Sequence, residues 1–321
     1  MQGFSRTLNR LVLLFMVGFT QQLSANQCNN IELQVLGAGG PEINDGLASS
    51  SYLVWIDGKA RVMVDAGGGS SFNFEKSGAN FNDLQVILLS HLHVDHSAAL
   101  PIYIKSSFFT DRATELALFG PDAGGDFPST TQFVSALFSD KKSSDENVLN
   151  KSSAYPYLSD FIEQQSSTPY LLTANNIVAK SSIWSKAINA QLTVSAINVN
   201  HGAIPALAWR VDSSHCSVTF SGDMNGSSAN LPKLAKNTNL LVAHNAIAEQ
   251  AGKIAKYLHM TPTNIGKIAH KSQAKKLLLS HFMVRSTRVK QQTHELIEKN
   301  YHGKIVNAKE LMKVSVGSDS L

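Results

Sequence analysis

His91-Leu92-His93-Val94-Asp95-His96 follows directly on Gln85-Val86-Ile87-Leu88-Leu89, a short and almost continuous apolar run. Such a run reads as a strand buried on both faces, and the six residues after it as a loop leaving that strand's end. Imidazole nitrogens and a carboxylate are natural ligands for zinc or a similar divalent ion. Three of the chain's 11 histidines fall within this stretch. A His-rich solvent loop is the weaker alternative, because the apolar run ahead of it anchors the segment in a core. Two histidines at i and i+2 can converge on one ion, while Asp95 and His96 face the other side, where a second ion fits.

A metal centre collects side chains from several loops, so further ligands belong at other strand ends. Downstream, strands are expected at Gln191–Val199, Pro205–Val211, Ser217–Phe220, Leu240–Val242 and Leu277–Ser280. Four candidates sit where such runs end: His201, Asp223, His244 and His281. One strand-end histidine is usually structural; four polar residues in equivalent places form a pattern. Upstream, strands are expected at Ile31–Leu36, Ser51–Ile56 and Arg61–Val64, the last two forming a hairpin around Asp57-Gly58. Thr261-Pro262 reads as N-cap and first turn of a helix over 261–270. A helix near 290–300 and a strand at 304–308 close the chain. No repeat is visible in the sequence. Strands and helices alternating with hairpins imply a layered sheet-and-helix architecture.

Residues 106–185 have no clear periodicity, with short helices expected near 129–138 and 156–164. Aromatics such as Phe108, Phe127, Phe133 and Tyr157 are scattered there among Ser, Asp, Asn and Gly. A disordered linker would not hold so many, so the stretch is read as an insertion or lid over the site.

The 321 residues carry 28 basic and 24 acidic side chains, 43% hydrophobic residues and two cysteines. Disorder is excluded by the apolar content, and a disulfide scaffold or thiolate cluster by the cysteine count. No apolar run is long enough to span a membrane. Arg6 and Arg10, the apolar Leu11–Phe19 and the exit Leu23-Ser24-Ala25 read as a secretory signal peptide over 1–25. The mature domain is then 26–321, periplasmic or secreted, where Cys28 and Cys216 could pair, although nothing in the sequence brings them together. Residues 26–225 hold 11 basic and 19 acidic side chains, residues 226–321 hold 15 and 5. A basic C-terminal third can attract an anionic substrate, but its lysines also fit the solvated faces of helices.

The His91–His96 motif, with Gly37-Ala-Gly-Gly-Pro41 and Val64-Asp65-Ala-Gly-Gly68 upstream, resembles the metallo-β-lactamase superfamily. Leu118-Phe-Gly-Pro121, Ala208-Trp-Arg-Val211, Phe220-Ser-Gly-Asp223, His244-Asn-Ala246, His259-Met-Thr261 and Leu279-Ser-His281-Phe282 resemble its ribonuclease Z branch. The segment from Gly39-Gly-Pro-Glu42 to Ala48-Ser-Ser-Ser-Tyr52 is similar to secreted arylsulfatase-like members, beside which stand secreted phosphodiesterases. The resemblance spans nearly the whole mature chain. It implies an α+β fold, the four-layer αβ/βα sandwich, and two divalent metal ions, zinc foremost. His91, His93 and His201 would hold the first ion, Asp95, His96 and His281 the second, with Asp223 bridging. His259 would be the general acid, and Asp95 is counted with it among the catalytic residues. Asp65 is read as a buried structural acid.

The implied reaction is attack of a metal-activated hydroxide on a sulfate ester or phosphodiester, with an acid protonating the departing oxygen. Arg285 and Arg288, just beyond His281, are candidates for holding the substrate anion, with surface charge as the plain alternative. Asn245 stands where ribonuclease Z usually has a glutamate, and no Gly/Pro-rich basic arm is present. The substrate expected is therefore a small anionic ester and not tRNA. A homodimer is possible, and the sequence does not decide the oligomeric state. The competing readings are a non-catalytic metal- and ligand-binding member of the fold and a ribonuclease Z-type endonuclease.

Overall fold

The computed structural model describes Cys28, residues 30–139, 153–163, 170–214 and 216–317. The expected signal peptide lies outside the described residues. In chain order the strands are β1 (Ile31–Gly37), β2 (Ser51–Ile56), β3 (Lys59–Val64), β4 (Val86–Leu88), β5 (Leu116–Pro121), β6 (Leu172–Ile177), β7 (Trp184–Asn189), β8 (Leu192–His201), β9 (Ile204–Ser213), β10 (Cys216–Phe220), β11 (Leu240–His244), β12 (Lys276–Ser280), β13 (Lys304–Asn307) and β14 (Lys313–Ser315). The helices are α1 (Ser70–Ser77), α2 (Val94–Ser97), α3 (Leu100–Ser107), α4 (Thr130–Phe138), α5 (Asn230–Leu234), α6 (Lys253–Leu258), α7 (Pro262–Lys271), α8 (Val284–Thr287) and α9 (Lys290–Glu298).

The strands form two seven-stranded sheets, ordered β14-β1-β2-β3-β4-β5-β6 and β13-β12-β11-β10-β9-β8-β7. Each sheet has the same grammar: antiparallel pairing from β14 to β3 and from β7 to β10, then parallel pairing from β3 to β6 and from β10 to β13. The repeat that the sequence hides is thus present in the pairing. Alternation along β2 divides the burial. Tyr52, Val54 and Ile56 enter the core shared by the two sheets, with Trp209, Val218 and Leu278. Leu53 and Trp55 face a second core under the helices, with Leu100, Tyr103, Val134 and Phe138. Burial on both faces is why these strands carry so few polar positions. The result is the α+β sandwich expected, two sheets flanked by helices.

Three differences from the sequence reading have physical reasons. The stretch 106–185 supplies β5 and β6 to the first sheet and the first two residues of β7 to the second, so much of it is framework and not insertion. β6 (Leu-Thr-Ala-Asn-Asn-Ile) and β7 (Trp-Ser-Lys-Ala-Ile-Asn) are edge strands, half exposed, and lack an apolar signature. Several of its aromatics (Phe138, Phe161, Tyr170) fill the second core. The helix expected at 156–164 is a 3₁₀ turn over Pro156–Phe161. At the other end, three-residue β14 pairs with β1 and was too short to detect. Thr261 does cap α7, its side chain accepting from the Asn264 amide, with Pro262 in the first turn.

Cys28 and Cys216 form a disulfide with Cα atoms 5.3 Å apart and a sequence separation of 188. It ties the chain ahead of β1 to the first residue of β10, joining the two sheets. Among the described residues no helix is long and apolar enough to cross a membrane.

Candidate metal centre

His91 leaves β4, His201 ends β8, Asp223 follows β10, His244 ends β11 and His281 follows β12. These strands all deliver their C-terminal ends to one rim of the sandwich, where the backbone leaves the ladder and polar side chains are freed from the core. Tight backbone packing brings the loops together. The Ala66 amide donates to the His96 carbonyl at 2.8 Å, and a Cβ on Gly67 would lie 2.3 Å from the Asp95 carbonyl oxygen. Asp65 (φ 58°) and His281 (φ 56°) both occupy the left-handed region, a costly conformation for such residues that the surrounding contacts impose.

The ligand atoms gather in groups. His91, His93 and His201 form one, and His96, Asp223, His244 and His281 another, the atoms within each lying within 4.8 Å of one another. In the first, His91 Nε2 is 2.9 Å from His93 Nδ1, and buried His201 Nε2 has no hydrogen-bond partner. His201 Nδ1 faces the Leu258 carbonyl at 2.8 Å; donation there fixes the tautomer and leaves the Nε2 lone pair pointing inward. In the second, His96 Nε2 is 3.2 Å from His281 Nε2. Asp95 Oδ2 lies 3.2 Å from His281 Nε2 and 3.4 Å from His96 Nε2, which places it against this group. Asp223 Oδ2 is 3.8 Å from both His96 Nε2 and His201 Nε2, so one oxygen faces both groups.

Two residues support the ligands from behind. Asp65 accepts from His96 Nδ1 at 2.8 Å and from the Ser90 amide and hydroxyl at 2.7 and 2.8 Å. The buried acid expected at this position thus aims His96 Nε2 at the cluster. His244 faces Asp223 Oδ1 with Nδ1 at 2.7 Å, while its Nε2 lies 3.4 Å from the Tyr52 hydroxyl. The sequence reading marked His244 as a strand-end candidate but gave it no ligand role; here it fixes the carboxylate shared by both groups.

The charge states suit a cation. Burial, followed by mutual repulsion, holds His91 well below the ordinary histidine value, and burial likewise lowers His93 and His201. These three rings are neutral donors of lone pairs. Burial opposes charge on Asp223 and Asp95, but the neighbouring imidazoles outweigh it and hold both carboxyls well below the usual range. Burial also opposes charge on His96, yet Asp65 and Asp95 raise it well above the ordinary value. Converging neutral imidazoles, ionised carboxylates and an orphaned buried nitrogen are a donor set that suits divalent cations.

His259 caps the C-terminus of α6, its Nδ1 3.6 Å from Asp223 Oδ2. Its side chain is 12% exposed, so it stands at the open side of the cluster. Burial pushes it down to about 4, against the pull of Asp223. Asn245 turns its side-chain amide to the Ile247 carbonyl, 3.3 Å away. Phe127 meets His93 edge-on with ring centroids 5.7 Å apart, so the loop after β5 does reach the site. Arg285 donates from Nε to the Ala246 carbonyl at 3.0 Å and shares a cleft with His259. Arg288 is not brought there. It lines a different cleft with Val289, Gln291, Gln292 and Glu295, at the C-terminal end of the short helix α8.

The metallo-beta-lactamase superfamily model matches residues 44–258. The chain belongs to the metallo-beta-lactamase superfamily. Ribonuclease Z of Picrophilus torridus is 24% identical over 276 residues, covering 80% of this chain and 87% of the relative. The metallo-beta-lactamase fold protein YhfI from Bacillus subtilis superposes with a TM-score of 0.67 at 18% identity, over 89% of this chain and 99% of that one. The short form of human tRNase Z gives 0.65 at 17% identity with the same coverage of both chains. These relatives bear out the ribonuclease Z-like resemblance. The arylsulfatase-like one gains no support from them.

Proposed function

We propose that this chain is a metal-dependent hydrolase of a small anionic phosphodiester, exported through its N-terminal leader. The observation that carries the reading is Asp223 Oδ2, 3.8 Å from one imidazole of each ligand group, which suits a dinuclear centre with a shared carboxylate. His91, His93 and His201 would hold one ion, and Asp95, His96 and His281 the other. When bound, two such ions acidify a water and neutralise charge building on the phosphoryl oxygens. The chain's own residues then orient and move protons. Asp65 and His244 hold His96 and Asp223 in place. His259, at the open side, is placed to hold a proton near the departing oxygen, and Arg285 offers a fixed cation for the substrate anion.

Ribonuclease relatives favour a phosphoester over a sulfate ester. Asn245 gives His259 no carboxylate partner of its own, and the disulfide suits an oxidising compartment; both favour a small exported substrate over tRNA. The test sets bis-p-nitrophenyl phosphate beside p-nitrophenyl sulfate on the metal-loaded protein, with His93→Ala as control. Diester cleavage lost on chelation and in His93→Ala is expected. Preference for the sulfate ester would overturn the phosphodiester assignment. Two bound metals without turnover of either would favour a binding protein.

A further inference from the structure

A second cleft wall beside His259 bears on what the ester carries. Helix α6 presents Ile254, Ala255 and Leu258 to an open cleft of about 530 Å³ that His259 and Arg285 complete. Ile254 is 80% exposed, and no described side chain covers it. Resting on the hydrolase reading, we propose that this cleft receives the uncharged, apolar alcohol portion of the substrate. The enzyme then selects esters of hydrophobic alcohols, aryl alcohols foremost, over sugar-bearing nucleotides.

Three observations place the cleft at the reacting bond. The His259 ring lines it and also lies 3.6 Å from Asp223 Oδ2, so the cleft borders the cluster through that ring. Its polar lining side chains are Lys253, His259 and Arg285. The two cations suit the ester anion, while Ile254, Ala255 and Leu258 bury apolar surface of an alcohol and offer a ribose's hydroxyls no side-chain partner. The wall itself is fixed. The Leu258 carbonyl accepts from His201 Nδ1, and a Cβ on Gly202 would lie 2.8 Å from Tyr257 Cε1, so α6 is seated on the turn after β8 with no room for a side chain between them. One helix therefore both fixes a candidate ligand and shapes the space where the alcohol would lie.

The test compares two non-hydrolysable diester analogues, methyl(2-naphthylmethyl)phosphinate and dimethylphosphinate, by calorimetry on the metal-loaded protein. They share the tetrahedral anion and differ only in the apolar group. The native chain is expected to prefer the aryl probe on the order of tenfold or more, from the apolar area it buries. Ile254→Ser, at an exposed position, should cut that ratio about fivefold. Ala255→Trp should fill the cleft and abolish the preference, with dimethylphosphinate affinity and metal content unchanged in both variants. An aryl-to-methyl ratio that is the same in all three proteins would overturn the cleft assignment and leave the hydrolase reading standing. Failure of both phosphinates to bind the native, metal-loaded protein would overturn the two together.

Discussion

Replacing Cys28 or Cys216 by serine opens a covalent ring between residues 188 apart in sequence. In the chain-entropy picture, closing a ring of that size removes about 5 kcal/mol of freedom from the unfolded ensemble at 25 °C. With an unfolding entropy of about 2.1 cal/mol/K per residue, the loss corresponds to a fall of roughly 8 °C in Tm. Both sulfurs are buried, and the bond joins the segment before β1 to the start of β10, the strand whose opposite end leads to Asp223. Stability should therefore fall while metal content at 25 °C does not. The assay is thermal unfolding of the metal-loaded native protein, the two single variants and the double variant. Either substitution opens the same ring, so the three variants should melt at nearly the same temperature. If the single effects instead add up in the double variant, the loss comes from side-chain packing and the cross-link argument fails. Two thiols that react in denaturant without prior reduction would refute it outright.

Asp65→Asn keeps the side-chain volume but not the carboxylate that holds His96 Nδ1; metal affinity at the second group should drop roughly 10- to 100-fold, read by metal titration, with unchanged affinity counting against the orienting role. Asp65 and Asp95 favour the protonated form of His96 in the metal-free protein, so loading the second group should release protons, measurable by calorimetry in buffers of different ionisation enthalpy, and affinity there should weaken as pH falls. His259 and His244 are both pushed down to about 4 by burial, whereas an unfolded histidine protonates near about 6.5. Their contribution to the metal-free fold is complete above that value and is lost as pH falls towards 4. His259→Gln should accordingly lose less Tm than the native chain between neutral and mildly acidic pH; an equal loss would contradict the shift.

How much of the centre was legible depended on how local its signal was. His91, His93, Asp95 and His96 lie within six residues after a buried run, and such density is readable without a fold. His201, Asp223, His244 and His281 needed only strand ends, because β8, β10, β11 and β12 are apolar enough to declare themselves. β6, β7 and β14 did not, since edge or very short strands take much of their definition from a neighbour's hydrogen bonds. Arg285 and Arg288 are three residues apart and look equivalent in sequence, yet only Arg285 reaches the cleft with His259.

The sequence by itself determined the candidate ligands, the apolar strands that would carry them and the family whose motifs they match. Tertiary structure alone decided that His244 grips Asp223, that Asp65 aims His96, that Cys28 meets Cys216 and that α6 opens an apolar cleft at His259. Ligand type and strand periodicity are properties of neighbours along the chain. These other relations join residues from different strands and both sheets, and they exist only once pairing has brought the strand ends to one rim.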